Sequence, residues 1–381
     1  MVSDSYVPSF IWRNPTRIVY GPDTLEQLPD EVRQTAGDEA KVFLVTGRTF
    51  LRTSGLLQTI MGLLADFDVV LHDRADPFPT PADADEAAAL CRNSGASLVL
   101  GIGGGSALDL AKAAAILATH DRPAKDYSSR AARLEHASLP FIAVPTTSGS
   151  SSEVTSGSAL WDWDSNSQFG LGDVRMFPTV AIVDPRLAMT MSQTLAANTG
   201  MDAFTSAFES YWNVESEPIS DAIALEVIKM YSENLVRSAI QGDLESRAAC
   251  ALAATMSGVG YSNSTPNACH GVGSPLTLYW RVEHGQSVSI TLSSFLRWSA
   301  PAIADRMPAL LSALGVGNID EACAKIERIM SDCGLETRLS GLGIDEDGLD
   351  RIVEHTRWDR LALLPKSMDK DELRTMLRGI L

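Results

Sequence analysis

The feature that most constrains this chain is residues 98–115, LVLGIGGGSALDLAKAAA. A short apolar stretch precedes three consecutive glycines, and a helix-favouring segment follows them, which predicts a strand, a tight turn and a helix. Glycines let a ligand approach the backbone closely, and the free N–H groups at a helix start attract an anion. The segment therefore predicts a site for a cofactor diphosphate, with an ordinary glycine turn of an α/β protein as the alternative.

Length and composition set the outer limits. A chain of 381 residues exceeds what one hydrophobic core usually serves, so we expect two domains. The formal net charge of −17 argues against partners such as nucleic acid or an anionic membrane surface. Five scattered cysteines without a CxxC pair are typical of reduced thiols. Since MVSDSYVPSFIW shows no basic region before an apolar stretch, we expect a cytoplasmic protein.

The first half of the chain alternates strand-like runs with helical stretches. The helical stretches are residues 56–65 and 82–91, and the strand-like runs are residues 41–46, 68–72, 98–100, 141–144 and 180–183. Such alternation predicts a parallel, Rossmann-like sheet with crossover helices.

The second half changes character after Pro185. Strand signals nearly vanish, and residues 220–240, 244–259 and 286–300 each show helical periodicity. We therefore predict a dinucleotide-binding α/β domain at 1–185 and an all-helical domain for metal and substrate at 186–381, packed around a cleft.

A second candidate site lies in the helical half. Asp202 follows Gly200 near a predicted helix start, and His270 and His284 stand fourteen residues apart. One carboxylate and two imidazoles suit a divalent metal such as Zn²⁺ or Fe²⁺, provided that the helices bring them together. The alternative is structural, because an Asp near a helix start is often a cap and an isolated His is often a hydrogen-bonded polar residue.

Several motifs occur together and in order, and their combination resembles a known family. They are NPTRIVYGPDTLEQLP, GGGSALDLAK, PTTSGSSSEVT, AIVDPRL, TGMDAFTSAFESYWN and the block that contains His270 and His284. Over nearly the whole chain the sequence resembles the iron-containing, or group III, alcohol dehydrogenases, which implies their dehydroquinate synthase-like architecture. Within that family, ESYWNVESEPISDAIALE and NACHGVGSPLTLYWRVEHG are most similar to the phosphonoacetaldehyde reductases. This implies reduction of phosphonoacetaldehyde to 2-hydroxyethylphosphonate.

The resemblance also implies roles for cofactor-binding positions. Asp109 would lie near the nicotinamide ribose, and Ser152 would follow the loop that lines the cleft. The diphosphate would be held by Gly103, Gly104, Gly105 and Ser106, and the adenine and nicotinamide side would be lined by Thr146, Thr147 and Ser148. These loops follow strands of the predicted parallel sheet, where ligands bind.

The choice of nicotinamide depends on the end of the predicted strand at 41–46. A carboxylate there would bind a ribose 2′-hydroxyl and repel a 2′-phosphate, but this chain has Gly47 and Arg48. We therefore predict that NADP(H) is favoured over NAD(H), with Arg48 as a plain surface cation as the alternative.

This chain lacks some of the histidines that usually bind the metal in that family. Usual members have a His four residues after the Asp, where this chain has Ser206, and many have a second His where this chain has Ser274. We expect either a weaker site of Asp202, His270 and His284 or no metal at all.

Hydride transfer to an aldehyde leaves negative charge on the carbonyl oxygen, which must be stabilised and protonated. A metal would do this as a Lewis acid. Without one, His270 or His284 as imidazolium, or a hydroxyl and water relay through Ser206 and Ser274, would serve. Arg281 and Arg297 are the candidates for an anionic substrate group.

The sequence thus predicts an NAD(P)H-dependent reductase of a small, anionic aldehyde. One alternative is a reductase of a maleylacetate-like carbonyl substrate on the same scaffold. Others are a dehydroquinate-synthase-like lyase or cyclase and a noncatalytic ligand-binding relative. The sequence leaves the oligomeric state open, with a homodimer as one option.

Overall fold

The computed structural model describes residues 9–381, in which a parallel sheet is followed by a helical half. The first eight residues of MVSDSYVPSFIW, on which the expectation about the amino terminus rests, lie outside the described part. The main sheet contains β1 (Arg17–Tyr20), β2 (Lys41–Gly47), β3 (Asp68–Ala75), β4 (Leu98–Gly103), β5 (Phe141–Pro145) and β8 (Val180–Val183), and a separate antiparallel pair contains β6 (Gly157–Asp162) and β7 (Ser167–Gly172).

The helices of the first half cover the faces of the sheet. They are α1 (Leu28–Ala36), α2 (Phe50–Thr53), α3 (Leu56–Leu63), α4 (Pro81–Ser94), α5 (Gly105–Leu117) and α6 (Ala124–Ser128). Short 3₁₀ turns lie at Thr24–Gln27, Ser152–Val154, Val174–Met176, Pro185–Thr190, Ala300–Ile303 and Leu339–Leu342.

The second half is helical throughout its described residues. Its helices are α7 (Gln193–Trp212), α8 (Pro218–Ile240), α9 (Leu244–Tyr261), α10 (Ala268–Trp280), α11 (His284–Ser289), α12 (Leu292–Ser299), α13 (Met307–Leu314), α14 (Ile319–Asp332), α15 (Glu346–His355), α16 (Trp358–Leu361) and α17 (Lys370–Arg378). No helix among residues 9–381 combines the length and the apolar character that crossing a membrane requires.

The predicted parallel sheet and helical second half are confirmed. The strand order is β1-β8-β5-β4-β2-β3, and every pair in it is parallel. Alternate side chains of β2 enter separate apolar cores, with Phe43 and Val45 on one face and Val42 and Leu44 on the other. This alternation follows from the two-residue period of a strand covered by helices on both faces.

Two details differ from the sequence prediction. The segment 286–300, predicted as one helix, is divided at Ile290 and Thr291 into the end of α11 and the whole of α12. The direction of α11 is fixed by packing, because an added Cβ at Gly285 would lie 1.8 Å from the carbonyl oxygen of Asn198. The edge strand β1 and the β6–β7 pair were not among the predicted strands.

The two halves meet along the loop after β5. The Ser151 hydroxyl donates to the Ala254 carbonyl at 2.6 Å, and the Tyr261 hydroxyl donates to the Ser150 carbonyl at 2.7 Å. A Cβ at Gly258 would lie only 2.4 Å from the Cβ of Ser151, so helix α9 approaches the loop closely. This contact fixes the loop that forms one wall of the cleft between the halves.

Candidate active site

A cleft of about 1510 Å³ runs between the two halves, from the ends of β2 and β4 to the helical residues Asp202, His270 and His284. A pocket for one small molecule usually measures roughly 300–1,000 Å³. The cleft therefore has room for a dinucleotide together with a small substrate.

The glycine turn forms the end of the cleft next to the sheet. β4 ends at Gly103, and α5 begins at Gly105 with no side chain capping its N–H groups. Added Cβ atoms would lie 2.7 Å from Ala107 at Gly103 and 2.7 Å from Ser150 at Gly105, so both positions require glycine. The exposed N–H groups at this helix start suit an anionic group such as a diphosphate.

Ser106 and Asp109, on the first turns of α5, also line the cleft. The Ser106 hydroxyl oxygen accepts a hydrogen bond from the backbone N–H of Phe78 at 3.1 Å. The Asp109 carboxylate accepts from the Ser152 hydroxyl at 2.6 Å and from the backbone N–H of Ala159 at 2.9 Å. Asp109 and Ser152 are therefore joined to each other directly beside the glycine turn.

A buried lysine lies beneath these two residues. The Lys112 ammonium donates to Ser152 at 2.9 Å and to the Gly157 carbonyl at 2.7 Å. Burial lowers its pKa to about 8, while the nearby Asp109 and Glu153 carboxylates oppose that shift. Burial likewise raises the pKa values of Asp109 and Glu153, and the Lys112 charge opposes it. These residues form a buried charge cluster that fixes the floor of the cleft beside the glycine turn.

The three hydroxyl residues after β5 divide into two groups. Thr146 and Thr147 line the cleft, as does Ser152 further along the loop. Ser148 does not line it, because its side chain is buried away from the cleft. Its hydroxyl has no hydrogen-bond partner among the described residues, and its carbonyl accepts from the Tyr231 hydroxyl at 3.4 Å. The predicted cofactor contact of Ser148 is corrected on this ground.

Gly47 and Arg48 lie at the mouth of the cleft, where β2 ends. Arg48 donates two hydrogen bonds to the carboxylate of Asp76, one of them at 2.6 Å from Nη2 to Oδ2. Asp76 follows β3 and was not singled out in the sequence. The Arg48 charge is therefore balanced by a carboxylate instead of standing alone beside the cleft.

Asp202, His270 and His284 converge at the helical end of the cleft. The Asp202 Oδ1 lies 3.3 Å from the Nε2 of His270 and 3.9 Å from the Nε2 of His284, and one ligand atom from each residue lies within 4.8 Å of the others. The side chains come from α7, α10 and α11. A set of two imidazoles and one carboxylate with open positions is typical of catalytic Fe²⁺ and Zn²⁺ sites.

The pKa values of His270 and His284 are shifted in opposite directions. Burial works against the charge of His270, but the Glu209 charge and the hydrogen bonds that the ring donates to Asp202 and Glu209 raise its pKa to about 9. Burial lowers the pKa of His284, although Asp202 opposes this. Burial alone would raise the pKa of Asp202, but the His270 hydrogen bond and the two imidazoles bring it below the ordinary value.

Glu209 also belongs to this site, although it is not among the residues predicted from the sequence. It is completely buried on α7, and one carboxylate oxygen hydrogen-bonds to the Nδ1 of His270. The other oxygen accepts from the backbone N–H groups of Asn267, Cys269 and His270 at 2.7–3.2 Å. Glu209 thereby directs the Nε2 of His270 toward Asp202. Its signal is its spacing, seven residues or two helical turns after Asp202.

Ser206 and Ser274 stand where members of the resembled family usually have histidines, and both line the cleft. Ser206 lies one turn after Asp202 on α7, and its side chain is 3% exposed. The Ser274 hydroxyl lies 3.0 Å from the His270 carbonyl and 3.2 Å from the Oε1 of Gln168 on β7. The Ser274 contact joins the helical half to the β6–β7 pair directly over the cleft.

The two arginines predicted to contact substrate do not line the cleft. Arg281 lies over the ring of Trp163, with 3.8 Å from its guanidinium carbon to the ring centre. Arg297 forms an exposed ion pair with Asp320 at 2.6 Å. The prediction for both is therefore corrected. The arginines that line the helical end are Arg357 and Arg360.

Trp161 closes one side of the cluster. Its side chain is 3% exposed and lies edge-on to His284, with 6.2 Å between the ring centres. It also stacks on Trp163, which contacts Phe78. This aromatic group limits water access to the space beside His284.

Comparisons with known proteins agree over both halves of the chain. The model for iron-containing alcohol dehydrogenase matches residues 15–185, and the model for the C-terminal part of the Fe-containing alcohol dehydrogenase family matches residues 196–381. Long-chain-alcohol dehydrogenase 1 of Geobacillus thermodenitrificans is 33% identical, with 89% of each chain covered. NADPH-dependent butanol dehydrogenase of Clostridium saccharobutylicum is 29% identical, with 96% of each chain covered.

The fold is also similar to that of solved structures. Sulfoacetaldehyde reductase from Bifidobacterium kashiwanohense in complex with NAD⁺ superposes with a TM-score of 0.92 at 26% identity, over 98% of this chain and 99% of that one. An iron-containing alcohol dehydrogenase from Thermotoga maritima gives a TM-score of 0.87 at 26% identity, over 98% and 99% of the two chains.

Proposed function

The chain belongs to the iron-containing alcohol dehydrogenase family, and we propose that it reduces a small, anionic aldehyde to a primary alcohol with NAD(P)H. The observation that supports this most strongly is the position of Asp202, His270 and His284 in the same cleft as the glycine turn. One end of the cleft suits a dinucleotide, and the other offers groups that stabilise charge on a carbonyl oxygen.

The donor set fits the divalent metal that the family uses. Asp202, His270 and His284 would hold it, and the fourth position on α7 is occupied by Ser206, whose hydroxyl is a weak ligand. When bound, a metal there would act as a Lewis acid on the substrate carbonyl. Because His270 must lose its Nε2 proton to become a ligand, we expect metal binding to depend on pH.

The chain's own residues position the reactants and handle the proton. A nicotinamide cofactor held at the glycine turn would supply hydride to the carbonyl carbon. A proton must also reach the carbonyl oxygen for an alcohol to form. Glu209 fixes the ring of His270, and Trp161 shields His284 from water. The hydroxyls of Ser206 and Ser274 line the same space and are placed to relay a proton through water.

We propose that NADP(H) is favoured over NAD(H). Gly47 supports this preference, because it presents no carboxylate to a 2′-phosphate. Arg48 supports the preference for NADP(H) less strongly, because two of its N–H donors already bind the Asp76 carboxylate. A bound 2′-phosphate would have to compete with Asp76 for this guanidinium.

For the substrate we propose phosphonoacetaldehyde, on the two sequence blocks that resemble the phosphonoacetaldehyde reductases. The likeness to a sulfoacetaldehyde reductase supports the same class, because both substrates are two-carbon aldehydes with a tetrahedral oxyanion. Cleft-lining arginines beside the cluster are consistent with such an anion.

The test is turnover of phosphonoacetaldehyde with NADPH and with NADH. Protein treated with a chelator would be assayed before and after addition of Fe²⁺ or Zn²⁺, with sulfoacetaldehyde and maleylacetate as comparison substrates. We expect oxidation of NADPH in step with formation of 2-hydroxyethylphosphonate, and a higher kcat/KM than with maleylacetate. Absence of turnover with both anionic aldehydes under all metal conditions would rule the proposal out.

A further inference from the structure

Two arginines from the far end of the chain line the helical end of the cleft. Arg357 precedes α16 and Arg360 lies within it, more than seventy residues after His284. The backbone of α16 packs on the first turn of α10. A Cβ at Gly271 would lie 3.1 Å from both the Arg357 carbonyl oxygen and the Cβ of Arg360. This packing places the backbone of both arginines against Gly271, the residue that follows His270.

The two arginines differ in their partners. Arg357 forms an ion pair at 2.9 Å with Asp359, whose side chain is 64% exposed, so the pair is a weak one. Arg360 donates from Nη1 to the Pro266 carbonyl at 2.7 Å. Within the described part of the chain, no carboxylate lies within ion-pair distance of Arg360, and its other guanidinium donors have no protein acceptor.

Burying a cation that has no carboxylate partner costs free energy unless another anion pairs with it. Burial and the charge of Arg357 lower the pKa of Arg360, and the charges of Asp359 and Glu209 oppose this shift without contacting it. A guanidinium keeps its proton in proteins. The nearby Glu209 carboxylate is already occupied by His270 and by three backbone N–H groups. The remaining donors of Arg360 are therefore available to a ligand in the cleft.

The position of Arg360 separates it from other cleft-lining arginines. Arg48 and Arg175 are each paired with an aspartate, and Arg130 and Arg133 lie in an exposed loop of the sheet half. Arg360 is in the helical half, beside the metal-ligand cluster. An anion there would belong to the substrate and not to the 2′ end of the cofactor, which we place at Gly47.

We propose that Arg360, assisted by Arg357, binds the anionic group of the aldehyde substrate and selects a tetrahedral oxyanion, a phosphonate or a sulfonate. This inference rests on the proposed function. The guanidinium fork offers two parallel N–H donors to two oxygens of such a group, which a Lys could not match. With the oxyanion held at α16, the aldehyde end of the substrate would lie in the same cleft as Asp202 and His270.

The experiment compares an anionic aldehyde with a neutral one of the same shape. The pair is phosphonoacetaldehyde and 3,3-dimethylbutanal, in which a tert-butyl group replaces the phosphonate. In Arg360→Met we expect kcat/KM for phosphonoacetaldehyde to fall about 10- to 100-fold, the usual loss when a hydrogen bond to a charged group is removed. The value for 3,3-dimethylbutanal should change less than about threefold or rise, since no charged contact is lost.

Two further variants serve as controls. Arg360→Lys keeps the charge without the fork and should recover part of the activity toward phosphonoacetaldehyde. Arg297→Met removes an exposed arginine of the same half that lies outside the cleft, and it should leave both substrates unaffected. Equal loss for the charged and neutral aldehydes in Arg360→Met, or no loss for either, would overturn the assignment.

A binding measurement separates this inference from the proposed function. Methylphosphonate and methanesulfonate would be titrated into the NADPH-loaded protein and followed by calorimetry. Weaker binding in Arg360→Met than in wild type supports the anion site even if no aldehyde is turned over, which would count against the proposed function alone. Equal binding in the two proteins would overturn the anion site even if the aldehyde is reduced.

Discussion

Glu209 and His270 form a buried carboxylate–imidazole pair in which the carboxylate contacts Nδ1 and leaves Nε2 directed at Asp202. The same carboxylate accepts three backbone N–H groups at the start of α10. The pair therefore fixes both the ring of His270 and the helix that carries it. Such carboxylate–histidine pairs orient metal ligands and raise their basicity.

Glu209→Gln should lower kcat/KM and metal affinity by about 10- to 100-fold each, because the amide cannot support the imidazole as a carboxylate does. The fold should persist, since the amide oxygen can still accept from the backbone of α10. Steady-state kinetics and metal analysis after dialysis measure the two effects. Glu215→Gln, at an exposed position in the loop after α7, should match wild type. Equal activity in the two variants would deny Glu209 this role.

Ser206→His should increase metal affinity, because an imidazole one helical turn after Asp202 adds a fourth ligand to the set of three. Activity need not rise with it. The measurement is metal content after dialysis against a mild chelator, with Ser206→Ala as the matched control. A folded histidine variant that retains no more metal than the alanine variant would show that these helices do not form one metal site.

Gly47→Asp should reverse the order of the two nicotinamides. The wild type is expected to have the higher kcat/KM with NADPH, and the added carboxylate should favour NADH by accepting the ribose 2′-hydroxyl. There is room for the change, because a Cβ at Gly47 would meet only the Ala75 carbonyl oxygen at 3.7 Å. Gly47→Ala controls for the lost glycine. A wild type that prefers NADH would contradict the argument.

Lys112→Met should destabilise the protein by about 3 kcal/mol, because it leaves the Asp109 and Glu153 carboxylates buried without their cation. Denaturant unfolding gives the free energy. Lys125→Met removes an exposed lysine paired with Asp162 and should cost about 1 kcal/mol or less. If Lys112→Met lowered the unfolding free energy no more than Lys125→Met, Lys112 would not be stabilising the buried carboxylates.

Lys112 should also make the free energy of unfolding depend on pH in the alkaline range. Its pKa is about 8 in the folded protein and about 10.4 in an unfolded chain. Between these values the unfolded chain binds more protons, so the Lys112 contribution to the unfolding free energy rises with pH. The wild-type slope should therefore exceed that of Lys112→Met by up to about 1.4 kcal/mol per pH unit in this window.

The sequence predicted the features that depend on local pattern. Alternating apolar runs located β2, β3, β4, β5 and β8, and the glycine turn was located from its neighbours alone. The convergence of Asp202 with His270 and His284 depended on the family resemblance, because residues 68 or more positions apart have no local signal that they meet.

What the sequence could not supply came from long-range packing. Arg360 reaches the cleft because α16 packs on α10. Arg281 instead lies over the ring of Trp163, and Arg297 forms an ion pair with Asp320. Closeness in sequence to His284 was therefore a poor guide to closeness in space. Ser148 follows Thr146 and Thr147 in the same loop, but its side chain is buried away from the cleft, which a run of hydroxyl residues does not reveal.

The most direct test of the account is kcat/KM for phosphonoacetaldehyde in wild type and His284→Ala, measured beside the dissociation constant for NADPH. His284 lies in the cluster but away from the glycine turn, so we predict a loss of at least about 100-fold in kcat/KM, as for removal of a group that stabilises the oxyanion. The NADPH dissociation constant should change less than about threefold, because the groups that hold the diphosphate remain. Full aldehyde reduction by a folded His284→Ala protein would contradict the claim that Asp202, His270 and His284 form the reaction site.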